Sequence, residues 1–535
     1  MSLLCKRILA MAVLMSVYFS EQSMLLPCLA DQTTETSEVS TQIQPNCLPR
    51  VTNSSSLKSA LQVANTLSAP DAHDVPPSGS SSPGAEQKLE LLTKQIAQQE
   101  NTLIRLNTNF RIECTHVGKW KPRRLFLYNL AASGCGTAGS SSIASTRWNF
   151  YSHPRSMARS TAWSGPVCLF TSHCISLGAV LAETTIDLIN DSKVRKKGFD
   201  INTTHKRVLA IKSDLDRLLQ ERQSILEHTD DFTLSDLELA RAEGRVLTDV
   251  RDLSLDEYSQ FFVRAHKFFA NRAANSFMGM TAASTGGFGG TLFGILSAAH
   301  RRPRLVGTAG IGFLISGATI VATPGTGRVV ANLAGQRARK KIYSQLNLSK
   351  TASSVSQLKA DIAKLEQLAS KTTISEHYNL QNLFRRLSAY DKQGKLFTAQ
   401  NEINAGEIKK ANAELKERML FAALIGSSKM SWGINNINAG FGFQPRSLLR
   451  VNTDSGKARA EFINDPEPSR LFTERVAIAA TTYIPGQGLW IFDTLQNRTR
   501  EEMRNRTLAS QGQLPGALNK ERLDRVDEID AAFNY

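Results

Sequence analysis

Apolar residues recur at heptad spacing in three separate places. Leu89, Leu92, Ile96, Leu103, Leu106 and Phe110 hold a and d positions from Glu86 onward, with Gln99 the polar exception. The pattern returns at Val208, Ile211, Leu215, Leu218 and Ile225, and again at Val355, Leu358, Ile362 and Leu365. Each run predicts a helix, and their shortness favours antiparallel packing within the chain over a long intermolecular coil. Between the runs lie apolar, Gly-rich stretches. The most apolar pair is Ser276–Ala299 and Leu305–Gly327, uncharged and joined by the basic turn His300-Arg301-Arg302-Pro303-Arg304. Each is long enough for a helix to cross a hydrocarbon layer of roughly 30 Å. Gly286, Gly290 and Gly294 fall four apart on one helical face, the small-residue spacing that lets helix backbones approach closely in lipid. A transmembrane helical hairpin is expected here.

The alternation itself repeats. Gly279 and Gly286 recur as Gly426 and Gly433, and Val208, Leu215 and Leu218 as Val355, Ile362 and Leu365, at a displacement of roughly 147 residues. Pro324-Gly-Thr-Gly327 precedes Arg337 and Arg339 as Pro485-Gly-Gln-Gly488 precedes Arg498 and Arg500. A fainter earlier copy places Arg124 and Gly139 against Arg418 and Gly433. The expected fold is all-α: tandem repeats of a heptad-patterned helix and a Gly-rich helical hairpin. The organisation is a signal peptide at 1–30, a disordered linker at 31–85, helical repeats at 86–206, 207–353 and 354–507, and a C-terminal helix at 508–535.

The outer hairpins are more polar. Leu125–Thr146 is rich in Ala, Gly and Ser, and its partner Ala162–Ala182 carries His173. Met419–Phe443 carries Lys429 and three asparagines, and Val476–Phe492 is short. A lysine at mid-segment is costly in lipid unless it faces a cavity or a partner. Lys429 therefore marks either a pore-like interior or a segment outside the lipid, and the second reading weighs more.

Composition adds location. Lys6 and Arg7, the apolar run Ile8–Phe19 and the small-residue site at Cys28-Leu29-Ala30 read as an export signal, with an uncleaved anchor as the alternative. The Ser-, Thr-, Pro- and Gln-rich stretch to Ala85 cannot bury enough apolar surface to fold. The net charge of +16 points to anionic lipid for an exported chain, not to nucleic acid. Arg337, Arg339, Lys340 and Lys341 follow the central hairpin and are the candidate headgroup contacts. The basic turn Arg301, Arg302 and Arg304 suits a cytoplasmic side, whereas those four cations fall on the other. Trp432 and Trp490 suit either a membrane interface or bundle packing.

Site chemistry is not apparent. Cys47, Cys114, Cys135, Cys168 and Cys174, which remain after cleavage, form no metal motif. Ala322–Val329 resembles a phosphate loop but lacks its first Gly, its Lys and its hydroxyl, so it reads as a helix break at Pro324. His173 reads as a satisfied buried group. No catalytic, metal or cofactor site is expected, and an enzyme rests on no motif. The function expected is a non-enzymatic, membrane-associated cell-envelope protein of the bacterial inner membrane. Its helical arms would lie in the periplasm and bind envelope proteins or a second copy. The alternative is a pore-forming or secreted membrane-active protein, with Lys429, Asn435 and Asn436 lining the lumen.

Overall fold

Local sequence sets several helix ends. Thr233 caps the helix that starts at Leu234: its hydroxyl oxygen accepts from the Asp236 amide at 3.2 Å, and the hydroxyl donates back to the Asp236 carboxylate at 2.7 Å. Ser354 likewise accepts from the Gln357 amide at 3.1 Å. Gly198, at φ 74°, stops another helix. There the Phe199 amide bonds to the Val194 carbonyl and the Gly198 amide to that of Arg195, the paired closure that a left-handed glycine permits.

The computed structural model describes residues 84–115, 120–152, 159–228, 232–300, 302, 304–347, 354–371, 380–442, 450–452, 459–461, 466–510 and 515–533. The expected signal peptide and linker lie outside these residues. The described chain is helical apart from one short ladder. It runs α1 (Ala85–Thr115), α2 (Lys121–Ser152), α3 (Arg159–Lys196), α4 (Ile201–His228) and α5 (Leu234–Ser284). A π-helical segment (Thr285–Thr291) leads into α6 (Leu292–His300), α7 (Arg304–Leu346) and α8 (Val355–Lys371). Then come α9 (Leu380–Ile437), a second π-helical segment (Asn438–Gly442), β1 (Arg450–Asn452) and β2 (Arg459–Glu461), α10 (Pro466–Ser510) and α11 (Pro515–Phe533). The strands pair antiparallel, Arg450 opposite Glu461.

Two helical rings share the long helices. In the first, the head, α1, α5 and α9 meet centrally, and α4, α8 and α11 each pack between two of them. The heptad positions build this core: Leu89, Ile96, Leu103, Phe110, Val208, Leu215, Leu358 and Leu365 are buried in one cluster with Leu247, Tyr258 and Phe262. In the second ring α2 packs on α3, α3 on the end of α5 and its π segment, these on α7, α7 on α9, α9 on α10, and α10 back on α2.

The expected break at Pro324 does not occur: α7 runs straight through it, and α10 runs through Pro485. Each proline removes one backbone donor, a loss that buried or neighbour-supported helices tolerate. Gly327 serves packing instead, whereas a Cβ at Gly325 would meet nothing. A Cβ at Gly327 would lie 2.5 Å from the Asn271 side-chain oxygen of α5.

The head core also holds charge that heptad reading missed. Arg386 donates to Glu243 at 2.7 Å, Tyr390 at 3.1 Å, and Arg222 lies 3.6 Å away; none of the three charged side chains exceeds 3% exposure. Glu257 is buried, which by itself raises a carboxyl pKa. Arg522 at 2.7 Å and Arg111 at 2.9 Å override that and hold it below the usual range.

Glu100 is the opposite case. It is fully buried, neither carboxyl oxygen has a hydrogen-bond partner, and burial pushes its pKa well up, only partly offset by Arg251. A folded pKa above the unfolded one contributes stability at low pH and loses it as pH rises from about 4. Glu100→Met is therefore expected to stabilise the chain by about 1–3 kcal/mol at neutral pH. The gain should be smaller at pH 4. Denaturation midpoints at both pH values check this; equal or lower midpoints at neutral pH would contradict it.

Candidate functional site: a buried His–Lys pair in a glycine-packed hairpin bundle

Glycine sets how closely the hairpin helices approach. A Cβ on Gly312 of α7 would lie 2.1 Å from the Gly289 carbonyl carbon of the π segment, and one on Gly139 of α2 would lie 2.8 Å from the Gly165 oxygen of α3. Between α7 and α9, Gly310 meets Gly433 and Gly317 meets Gly426 in the same way, at 2.5 Å and 2.7 Å. Backbone lies against backbone at all four places. Of the three glycines singled out from spacing, Gly290 sits under the Phe313 ring, and Gly286 faces His173 and Lys429. Gly294 touches nothing within 4 Å and is not a helix contact. Spacing gave one face, but the π segment adds residues to the turn and rotates Gly294 off the seam.

The pair under Gly286 lies at the heart of the bundle. His173 of α3 and Lys429 of α9 are 6% and 4% exposed. The Nδ1 of His173 faces the Leu169 carbonyl at 2.8 Å, and its Nε2 faces Lys429 Nζ at 2.9 Å. A carbonyl only accepts, so Nδ1 carries the proton and Nε2 accepts from the lysine. Among the described residues no carboxylate pairs with Lys429. A Cβ at Gly286 would stand 2.5 Å from His173 Nε2 and 2.7 Å from Lys429 Nζ, so glycine there makes the contact sterically possible. Serines surround the pair: Ser172 donates to the Ala132 carbonyl, Ser316 to Ala282 and Ser428 to Thr482.

Toward the hairpin tips the axis is filled. Phe313 stacks on Trp432 at 4.6 Å between ring centroids, and Tyr483 packs on the same indole at 4.6 Å. Trp432 therefore packs in the core, and Trp490 is half-buried. Beyond the stack lies a cavity of about 70 Å³ that reaches Arg147, Thr291 and Asn436.

The outside of this half is apolar. Leu127 of α2, Val167 of α3, Phe277 of α5, Ile311 and Ile315 of α7, Leu420 and Ile434 of α9 and Phe492 of α10 are all exposed. Among the described residues of the head fewer large apolar side chains are exposed, Leu91, Leu234, Phe268 and Phe384 among them. Among the described residues two helices are long and apolar enough to cross a membrane, one within Ser164–His228, whose apolar part is α3, and α7. The arm Ser276–Ala299 is not the second of that pair, because it is divided among the end of α5, the π segment and α6.

Charge gathers where the rings join. Arg124 pairs with Glu183 at 2.7 Å, Lys121 with Asp187 at 2.6 Å, and Arg272 with Asp191. Arg337, Arg339, Lys340 and Lys341 are exposed there with no carboxylate partner among the described residues. Trp120 is exposed at this level beneath the Arg123 guanidinium, and Trp148 is exposed at the other end of α2. Among the described residues no cluster of side chains suits a metal ion. The chain matches no protein family, no curated protein and no solved structure.

Proposed function

We propose that the chain is a non-enzymatic membrane protein of a bacterial cell envelope, anchored by the hairpin ring, with the head as its interaction arm. One observation carries the reading: the hairpin half has reversed polarity. Its interior holds His173, Lys429, Ser133, Ser140 and Gln487 beside the aromatic stack, whereas its outer face exposes Leu, Ile, Val or Phe on α2, α3, α5, α7, α9 and α10. Water would penalise such a surface, and lipid would not. Lengths agree, since the 28 residues between Trp120 and Trp148 rise about 42 Å along a helix, close to a bilayer with its interfaces.

On this reading all six hairpin arms cross the bilayer. Export behind the N-terminal signal places the head in the periplasm of an inner-membrane protein. Arg337, Arg339, Lys340 and Lys341 lie at headgroup level against anionic lipid. A heptad-patterned helix precedes a hairpin three times: α1 before α2 and α3, α4 before α5 through α7, and α8 before α9 and α10. It supports an internal threefold repeat whose glycine seams hold neighbouring arms together. The head would bind envelope proteins or a second copy, with no role for nucleic acid. The pore alternative draws less support, because the aromatic stack fills the axis where Lys429 and Asn436 would have to face water.

Reconstitution into liposomes tests the placement. Spin labels at Ile315 and Leu420 are expected to be accessible to oxygen and shielded from a polar nickel reagent, with the reverse at Leu234. Nickel access at all three sites would overturn the reading. Inert liposomes in a dye-leakage assay are expected; leakage would favour the pore.

A further inference from the structure

We infer that His173 and Lys429 form a single-proton binding centre that fastens the first hairpin to the third across the bundle, and that a second proton releases it. The pair joins α3 to α9, helices not adjacent in the ring, through one hydrogen bond of 2.9 Å. That bond exists only while Nε2 has a free lone pair, because Nδ1 is already committed as donor to Leu169. A proton arriving at Nε2 turns it into a donor. Two N–H groups and two positive charges then face each other in a site with no carboxylate, and the lysine bond breaks. Gly286 supplies no side chain to screen them. On the neighbouring face of the bundle, Gln487 Oε1 is buried without a hydrogen-bond partner and lies against Gly136 beside Ser172.

The ligand is a proton, because the pair is packed among described helices that bury both side chains. The 70 Å³ cavity lies beyond the aromatic stack, and its lining includes neither residue of the pair. On the elements around the pair, Cys135 of α2, Cys168 and Cys174 of α3 and Tyr483 of α10 are titratable, and the same helices carry charged or phenolic groups farther along, among them Tyr128 and Arg147 of α2, Glu183 of α3, Glu417 of α9 and Asp493 of α10. The π segment and the part of α7 between Arg304 and Arg328 carry none. The pair is buried by helices wherever lipid sits.

Hydrogen exchange of the full chain in nanodiscs and in detergent, at pH 5 and pH 8 and corrected for intrinsic rates, tests it. Segments 164–182 and 419–437 are expected to exchange several-fold faster at the lower pH. In Lys429→Met and, independently, His173→Gln, that acid response should disappear. Equal protection at both pH values in the native chain, or an undiminished acid response in both variants, would overturn the proposal.

Discussion

Glu243→Ala is expected to destabilise the head by about 3–5 kcal/mol, the usual cost of breaking a buried ion pair from one side. The carboxylate is completely buried and takes bonds from Arg386 and Tyr390, with Arg222 at 3.6 Å. Removing it leaves two guanidinium groups inside the core. Arg222 keeps its bonds to Thr93 and the Ala240 carbonyl, at 3.1 Å and 2.9 Å. Arg386 keeps a contact with Glu90 at 3.8 Å. The penalty arises because both cations lose the carboxylate between them. Substituting all three together, Glu243→Leu with Arg386→Met and Arg222→Met, should recover most of the loss, because no uncompensated charge remains. Hydrogen-exchange protection of α1, α5 and α9 measures both. A single variant within about 1 kcal/mol of the native chain would mean the network is solvated.

Gly312→Ala should be the most damaging one-carbon change in the hairpin half. Its new methyl would stand 2.1 Å and 2.2 Å from the Gly289 carbonyl carbon and oxygen, and 2.5 Å from the Gly290 nitrogen. These are backbone atoms and cannot rotate aside, so α7 must move off the π segment. That also strains the Gly310–Gly433 and Gly317–Gly426 contacts on its other side. A loss of about 3 kcal/mol is expected, the upper end of ordinary overpacking. Gly294→Ala is the matched control. It meets open space and should gain up to about 1 kcal/mol from helix propensity. Thermal unfolding in detergent separates the two; equal shifts would remove glycine packing from the account.

Much of the architecture is written locally. Thr233 and Asp236 mark a helix start, Gly198 an end, and heptad positions such as Ile96 and Leu215 the faces that become the head core. These depend on neighbours within one or two turns, which is why periodicity reveals them. Pro324 shows the limit of such reading. A proline reads as a break, yet a helix held on both sides by α5 and α9 continues through it.

By itself, then, the sequence determined that this chain is helical and where its apolar and Gly-rich arms lie. Tertiary structure alone decided that Gly312 and not Gly294 meets a neighbouring backbone, that Glu100 and Glu243 face inward, and that His173 bonds to Lys429 from a different hairpin. The physical reason is that helix formation answers to short-range spacing. Contacts between helices depend on the rotation and register of segments far apart in the chain, and a single π segment changes that rotation without changing the composition.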